Sequence, residues 1–221
     1  MIQLQSKQNN CLLIIGLIFI FQLSTAQNVE KLYVNMPDAL NPTLSKQNRL
    51  ELLEYHKAGQ GDSIDNRFGN KAYLSILDTL QKYIVVKNTP NSTFEMKVLK
   101  LENEVPLIGI ISTVCAPVCQ SKIEFFDTAW NKISLQFTMP KAIEWINESA
   151  LSNVVIDRKW LENLLENSFI TLTFDAAKQE IIAKNNSLDF VNEVDRKLVA
   201  PLLFDKKRSY KLEGRNWILK Q

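Results

Sequence analysis

The sequence predicts an α+β fold, mainly antiparallel sheet with helices packed against it. Three observations carry that prediction. Short segments with helical and two-residue apolar period alternate along the chain. Several strand-like runs follow one another with only turns between them, as hairpins do and crossover helices do not. Neither long βαβ alternation nor a glycine-rich phosphate loop is present. The order of elements suits two tandem α/β halves, 27–138 and 139–221, although no residue-level repeat joins them. A chain of about 200 residues can bury a sizeable core.

The first segment, 1–26, reads as a secretory signal peptide. Lys7 supplies the positive charge, Leu12 to Phe21 is the apolar stretch, and Ser24-Thr25-Ala26 offers small residues for cleavage after Ala26. The apolar run breaks at Gln22, short of the roughly 18 residues an anchor helix needs. Cys11 lies before it and leaves with the signal. Leu44 to Ala58 then reads as a helix, with Ser45 as N-cap, Leu50, Leu53 and Lys57 at helical spacing, and Gly59 as its stop. Gln60 to Asn70 is a polar loop punctuated by Gly61 and Gly69.

Strands follow. From Thr93 to Leu99, Phe94, Met96 and Val98 share one face and Glu95 and Lys97 the other, the period of a half-buried strand. Leu107 to Val114 is more uniformly apolar, as a central strand is. Ile123 to Asp127 and Lys132 to Phe137 continue the sheet. Pro140 opens a short helix through Ile146. Asp157 caps another, with Trp160, Leu161, Leu164 and Leu165 as its buried stripe. A second sheet begins at Phe169, where Ile170, Leu172 and Phe174 alternate with threonines. Asp189 caps a helix carrying Phe190, Val191, Val194 and Leu198, which Pro201 ends. Tyr210 to Leu219 is a hairpin turning at Glu213-Gly214.

Composition narrows the function. A formal net charge of +2 argues against nucleic acid, which needs a concentrated basic surface. Lys206-Lys207-Arg208 is the densest basic cluster and reads as a solvated turn. Beyond the signal no stretch is long enough to span a bilayer, so the chain is expected in the periplasm or secreted, where disulfides persist. Gly61-Asp62-Ser63-Ile64-Asp65 imitates the nucleophile block of secreted GDS-type esterases. That chemistry needs a downstream histidine base, and the one histidine, His56, lies upstream. Asp62, Asp65 and Asn66 do not match an EF-hand loop. Trp130, Trp145, Trp160 and Trp217 each fall in an amphipathic element and read as core. The sequence points away from an enzyme and assigns neither a catalytic residue nor a cofactor.

Cys115 and Cys119 are the cysteines that remain after the signal. On an extended strand their α-carbons would be about 13 Å apart, whereas a disulfide needs roughly 4.4 to 6.8 Å. Bridging therefore requires a turn within Ala116-Pro117-Val118, which Pro117 favours. Closing so short a ring stabilises by about 2 kcal/mol. The alternative is a copper or thiol redox site, since two thiolates suit Cu(I). The spacing is similar to the C-x-x-x-C of exported copper-handling thioredoxin-fold proteins. There the pair opens a helix, while Gln120 to Phe126 reads as a strand, and His56 is the sole candidate for the distal ligand. A C-x-x-C redox motif is excluded by spacing, and zinc lacks ligands.

Four blocks carry a resemblance: Val34-Asn35-Met36-Pro37-Asp38, Asn66-Arg67-Phe68-Gly69, Ser112 to Cys119, and Phe126-Asp127-Thr128-Ala129-Trp130. Together they resemble a family of uncharacterised exported Bacteroidetes proteins, a domain of unknown function. The resemblance implies an exported, compact protein of tandem α/β halves, similar in outline to the beta-lactamase inhibitor protein. It brings no activity and no assigned residues. The resulting expectation is a non-catalytic exported module that binds another protein or an envelope component. The alternative is a thiol redox or copper-handling protein using Cys115 and Cys119.

Overall fold

The computed structural model describes residues 28–101, 105–135 and 137–220, so the expected signal peptide lies outside the described residues. Two antiparallel sheets dominate. The first has seven strands in simple meander order: β1 (Ser63–Asp65), β2 (Lys71–Asp78), β3 (Tyr83–Thr89), β4 (Ser92–Lys100), β5 (Pro106–Cys115), β6 (Cys119–Phe126) and β7 (Lys132–Ile133). The second has four, β8 (Ile170–Phe174), β9 (Glu180–Asn185), β10 (Arg208–Glu213) and β11 (Asn216–Leu219), again each beside the next. Each sheet comes from one contiguous stretch, and the α+β class read from the sequence is what the chain adopts.

Two helices, α1 (Val29–Asn35) and α2 (Lys46–Lys57), cover one face of the large sheet. Ser45 caps α2, accepting from the Asn48 amide while Asn48 Oδ1 accepts from the Ser45 amide, and Gly59 adopts φ 66° beyond its end. The buried stripe of α2 is Arg49, Leu52 and Leu53, one position off the expected line through Leu50 and Lys57. Val29, Tyr33, Leu52 and Leu53 pack there on Ile84, Val86, Phe94, Met96, Ile108 and Ile110.

Arg49 is fully buried. Its guanidinium donates to the carbonyls of Leu44 at 2.6 Å, of Val34 at 3.2 Å and of Met36, and to Asp38 Oδ1 at 3.0 Å. One side chain thus ties α1, the turn after it and α2 together.

The four-stranded sheet packs on the opposite face. Tyr83, Leu107, Ile111 and Phe125 meet Ile170, Leu172, Phe174, Ile181, Tyr210 and Trp217 in a shared apolar layer. Gly109 lets the sheets approach: a Cβ there would stand 2.6 Å from Phe174 Cζ. This second cover explains why Glu95 and Lys97, expected on a solvent face, are 4% and 3% exposed. Glu95 Oε2 accepts from the Tyr83 hydroxyl at 2.7 Å and from the Phe174 amide at 3.1 Å. Ser121 Oγ accepts from the Leu172 amide at 2.9 Å. These two amides belong to the free edge of β8, so side chains of the first sheet satisfy what a neighbouring strand would otherwise pair. Lys97 Nζ donates to the carbonyls of Asp175, Ala176 and Lys178 in the β8–β9 turn.

Other expectations shift in informative ways. The polar loop 60–70 contains β1, and Asn66 Oδ1 closes the tight turn to β2 by accepting from the Phe68 and Asn70 amides. Of Lys132 to Phe137 only Lys132 and Ile133 pair as strand. The short helix after Pro140 is a 3-10 turn, Ala142–Trp145. Two further helices follow, α3 (Glu148–Leu151) and α4 (Arg158–Leu164); Asp157 caps the latter as expected, with Leu161 and Leu165 buried. Asp189 sits inside a 3-10 turn, Ser187–Phe190, and the helix proper, α5 (Glu193–Val199), is capped by Asn192 through the Asp195 amide at 3.0 Å. That later start rotates the stripe: Val199 is buried, while Val194 and Leu198 face solvent. Ala142, Ile146, Leu161, Leu165, Val199 and Leu202 form a third, smaller core beside the second sheet. The hairpin at Glu213-Gly214 forms as read, with Gly214 at φ 58°.

Candidate binding cleft

The open end of the second sheet is where local structure leaves a concavity. Past β9 the chain is pinned tightly. The Asn186 amide donates to the Phe169 carbonyl at 2.8 Å, the Ser187 amide to Asn185 Oδ1 at 2.9 Å, and the Phe169 amide to Ser187 Oγ at 2.9 Å. Arg196 of α5 pairs with Asp189 at 2.7 Å, fixing the helix against the preceding turn. These elements form one wall.

The opposite wall is the segment 203–207, which leads into β10. The Phe204 amide donates to the Trp145 carbonyl at 2.8 Å, and the Trp145 indole Nε1 donates to the Lys206 carbonyl at 2.8 Å. The Arg208 guanidinium lies 5.0 Å from the Trp145 ring centroid and pairs with Glu144. The cleft between the walls holds about 570 Å³, within the range of small-ligand sites. Its apolar lining includes Leu188, Ala200, Leu203 and Phe204; its charged lining includes Lys184, Lys206, Lys207 and Asp205.

The charges differ in how they are answered. Arg196 is neutralised by Asp189 and Arg208 by Glu144. Lys184, Lys206 and Lys207 have no ion pair among the described residues. The β9–β10 pairing ends at Arg208 against Ala183, and Lys207 and Lys184 line the cleft just beyond it. Lys206-Lys207, read as a solvated turn, therefore lines a cleft together with Lys184, which only strand pairing brings to it.

The cysteines lie elsewhere, at the tip of the β5–β6 hairpin. The chain turns within Ala116–Val118, and the Cys115 and Cys119 sulfurs stand 1.99 Å apart, a bonded distance. The Cys115 amide donates to the Asn91 carbonyl at 2.9 Å. Asn186, which lines the cleft, donates through Nδ2 to Thr171 Oγ1 at 3.0 Å and to the Cys119 carbonyl at 3.4 Å. The hairpin tip and the cleft floor thus share a side chain.

His56 is not with the cysteines. Its Nδ1 lies 2.5 Å from Asp62 Oδ1, beside β1 at the far edge of the large sheet. Four strand spacings separate β1 from β5, about 19 Å. Ser63 is half-buried in β1, and among the described residues no hydrogen bond joins it to His56. Among the described residues no group of three or more His, Cys, Asp or Glu side chains is placed to hold a metal ion. Nor is any helix among them long and apolar enough to cross a membrane.

Fold and cleft together define an α+β protein of two stacked antiparallel sheets with an open, partly cationic concavity at one end. The chain belongs to the family described as "Protein of unknown function (DUF3256)", which matches residues 21–217. It is also similar to a domain of an uncharacterized protein from Porphyromonas gingivalis W83. That match has a TM-score of 0.71 and 16% identity, and covers 87% of this chain and 97% of the other, a likeness of fold. No curated protein matches.

Proposed function

We propose that this protein is an exported, non-catalytic binding module, with its signal peptide removed after Ala26, and that the cleft at the end of the second sheet is its ligand site. One observation carries the reading: the disposition of charge. The buried polar side chains between the layers are consumed in fastening, Arg49 to loop carbonyls, Glu95 and Ser121 to the β8 edge, and Lys97 to the β8–β9 turn. The lysines of the cleft are left unanswered in a concavity of ligand size.

The test is a thermal-shift panel of neutral, cationic and anionic small molecules, sugars and lipids, run beside the Ala200→Trp variant, which fills the cleft from an exposed position. Ligands whose stabilisation disappears in the variant support the reading. Turnover in a broad hydrolase panel, abolished by Ser63→Ala, would refute it.

A second reading, thiol redox or copper handling, is favoured by the placement of Cys115 and Cys119 at a partly exposed hairpin tip. Native mass spectrometry of protein recovered from an oxidising periplasm, before and after alkylation, separates the two. Resistance to alkylation until reduction gives the pair a structural role. Bound copper or readily alkylated thiols make it a chemical site.

A further inference from the structure

We infer that the cleft takes an anionic amphiphile, a phosphate or carboxylate head on an apolar body. This rests on the cleft being the ligand site. The head falls among Lys184, Lys206 and Lys207, which line the cleft where the β9–β10 pairing ends. No acid partner answers these three among the described residues, and Asp205 is the single unpaired carboxylate on the wall. An anion held among these ammonium groups gains charge-assisted hydrogen bonds from them.

The apolar body meets the apolar lining next to the lysines. Phe204, 47% exposed, and Leu203 follow one another on the wall that ends in the lysines, so an apolar surface and a cationic one adjoin within one cleft. A neutral polar ligand would leave Phe204 in water and the lysines unanswered. A bare inorganic anion would use half of the site. The volume of about 570 Å³ accommodates a head and a short chain together.

The probe is octyl phosphate below its micelle concentration, followed by amide shifts in residues 203–207, with inorganic phosphate and octyltrimethylammonium as references. Saturable binding is expected for octyl phosphate, weaker by about ten-fold or more for inorganic phosphate and undetectable for the cation. Lys184→Gln with Lys207→Gln is expected to weaken octyl phosphate by about ten-fold or more, while the exposed Lys159→Gln changes it less than about two-fold. Both cleft lysines are exposed, and Lys206→Gln provides a second, independent variant should the double change disturb folding.

Co-sedimentation with vesicles of equal phosphatidylglycerol and phosphatidylcholine distinguishes the source. Binding lost in the lysine variants assigns a lipid headgroup. Binding of monomeric octyl phosphate alone assigns a free ligand. Either supports the inference. Binding of a neutral or cationic ligand that Ala200→Trp abolishes, with none of octyl phosphate, would overturn the anion assignment and leave the cleft reading standing. Absence of any ligand sensitive to Ala200→Trp would overturn both.

Discussion

Lys97 and Lys184 are both lysines on strands, and the fold treats them in opposite ways. Lys97 is buried between the sheets and gives its three protons to three backbone carbonyls of one turn. Lys184 is exposed on β9, lines the cleft with Lys206 and Lys207, and is answered by no acid among the described residues. The contrast is one of use: buried charge is spent on fastening layers, while three lysines without an acid partner among the described residues line one cleft. Substitutions in the first set should therefore act on stability, and in the second on binding.

The largest effect is expected at Arg49. Replacing it with Met keeps much of the apolar stem but leaves the Leu44, Val34 and Met36 carbonyls without their donor. Breaking such a buried charged network costs about 3–5 kcal/mol, measured as a fall in the urea midpoint. Lys97→Met should come next, at about 2–3 kcal/mol, because three carbonyls of the β8–β9 turn lose the charged donor they share. Neither variant should lower the affinity of the cleft, provided it is measured where the protein remains folded.

Glu95 separates the two sets by pH. Burial raises its pKa above the ordinary 4.5, outweighing the bonds from Tyr83 and Phe174 that favour the carboxylate. From that ordinary value up to the raised one, the native state holds a proton that the unfolded chain has released. Stability therefore falls as pH rises through that window. Glu95→Gln keeps a carbonyl oxygen for both donors and removes the titration. Its stability should be flatter across the window, and denaturant midpoints at successive pH values check it. An unchanged slope in the variant would mean that other groups set the dependence.

How much of this was legible in the sequence follows from burial. The α2 helix was readable because Ser45 and Gly59 mark its ends, and the closing hairpin because Gly214 marks its turn. The cysteine turn was legible too, since only a reversal at Ala116–Val118 lets Cys115 and Cys119 meet. Strands β2 and β3 carried no clear period. Ile84, Val85 and Val86 are all buried because β3 is covered on both faces, and β2 shifts register between Leu74 and Ile76. The alternation in β4 was read correctly, but its charged side meets a second sheet whose position is a tertiary fact. The cleft was invisible for the same reason: Lys184 and Lys207 are far apart in the chain, and only the β9–β10 pairing brings them to one cleft.

The smallest expected effect on stability, at Lys184, is also the most discriminating. A surface lysine paired with an acid loses a little stability when neutralised. One that shares a cleft with two other lysines and pairs with no acid gains a little, because the crowding of like charge is eased. Lys184→Gln should therefore change stability by no more than about 0.5 kcal/mol, in the stabilising direction. The gain should shrink as salt is added, since the cleft lysines are exposed and screened. The same substitution should weaken an anionic ligand. Stability and binding moving in opposite directions at one residue is the signature of charge kept for a ligand, because a lysine present only for solubility would move neither.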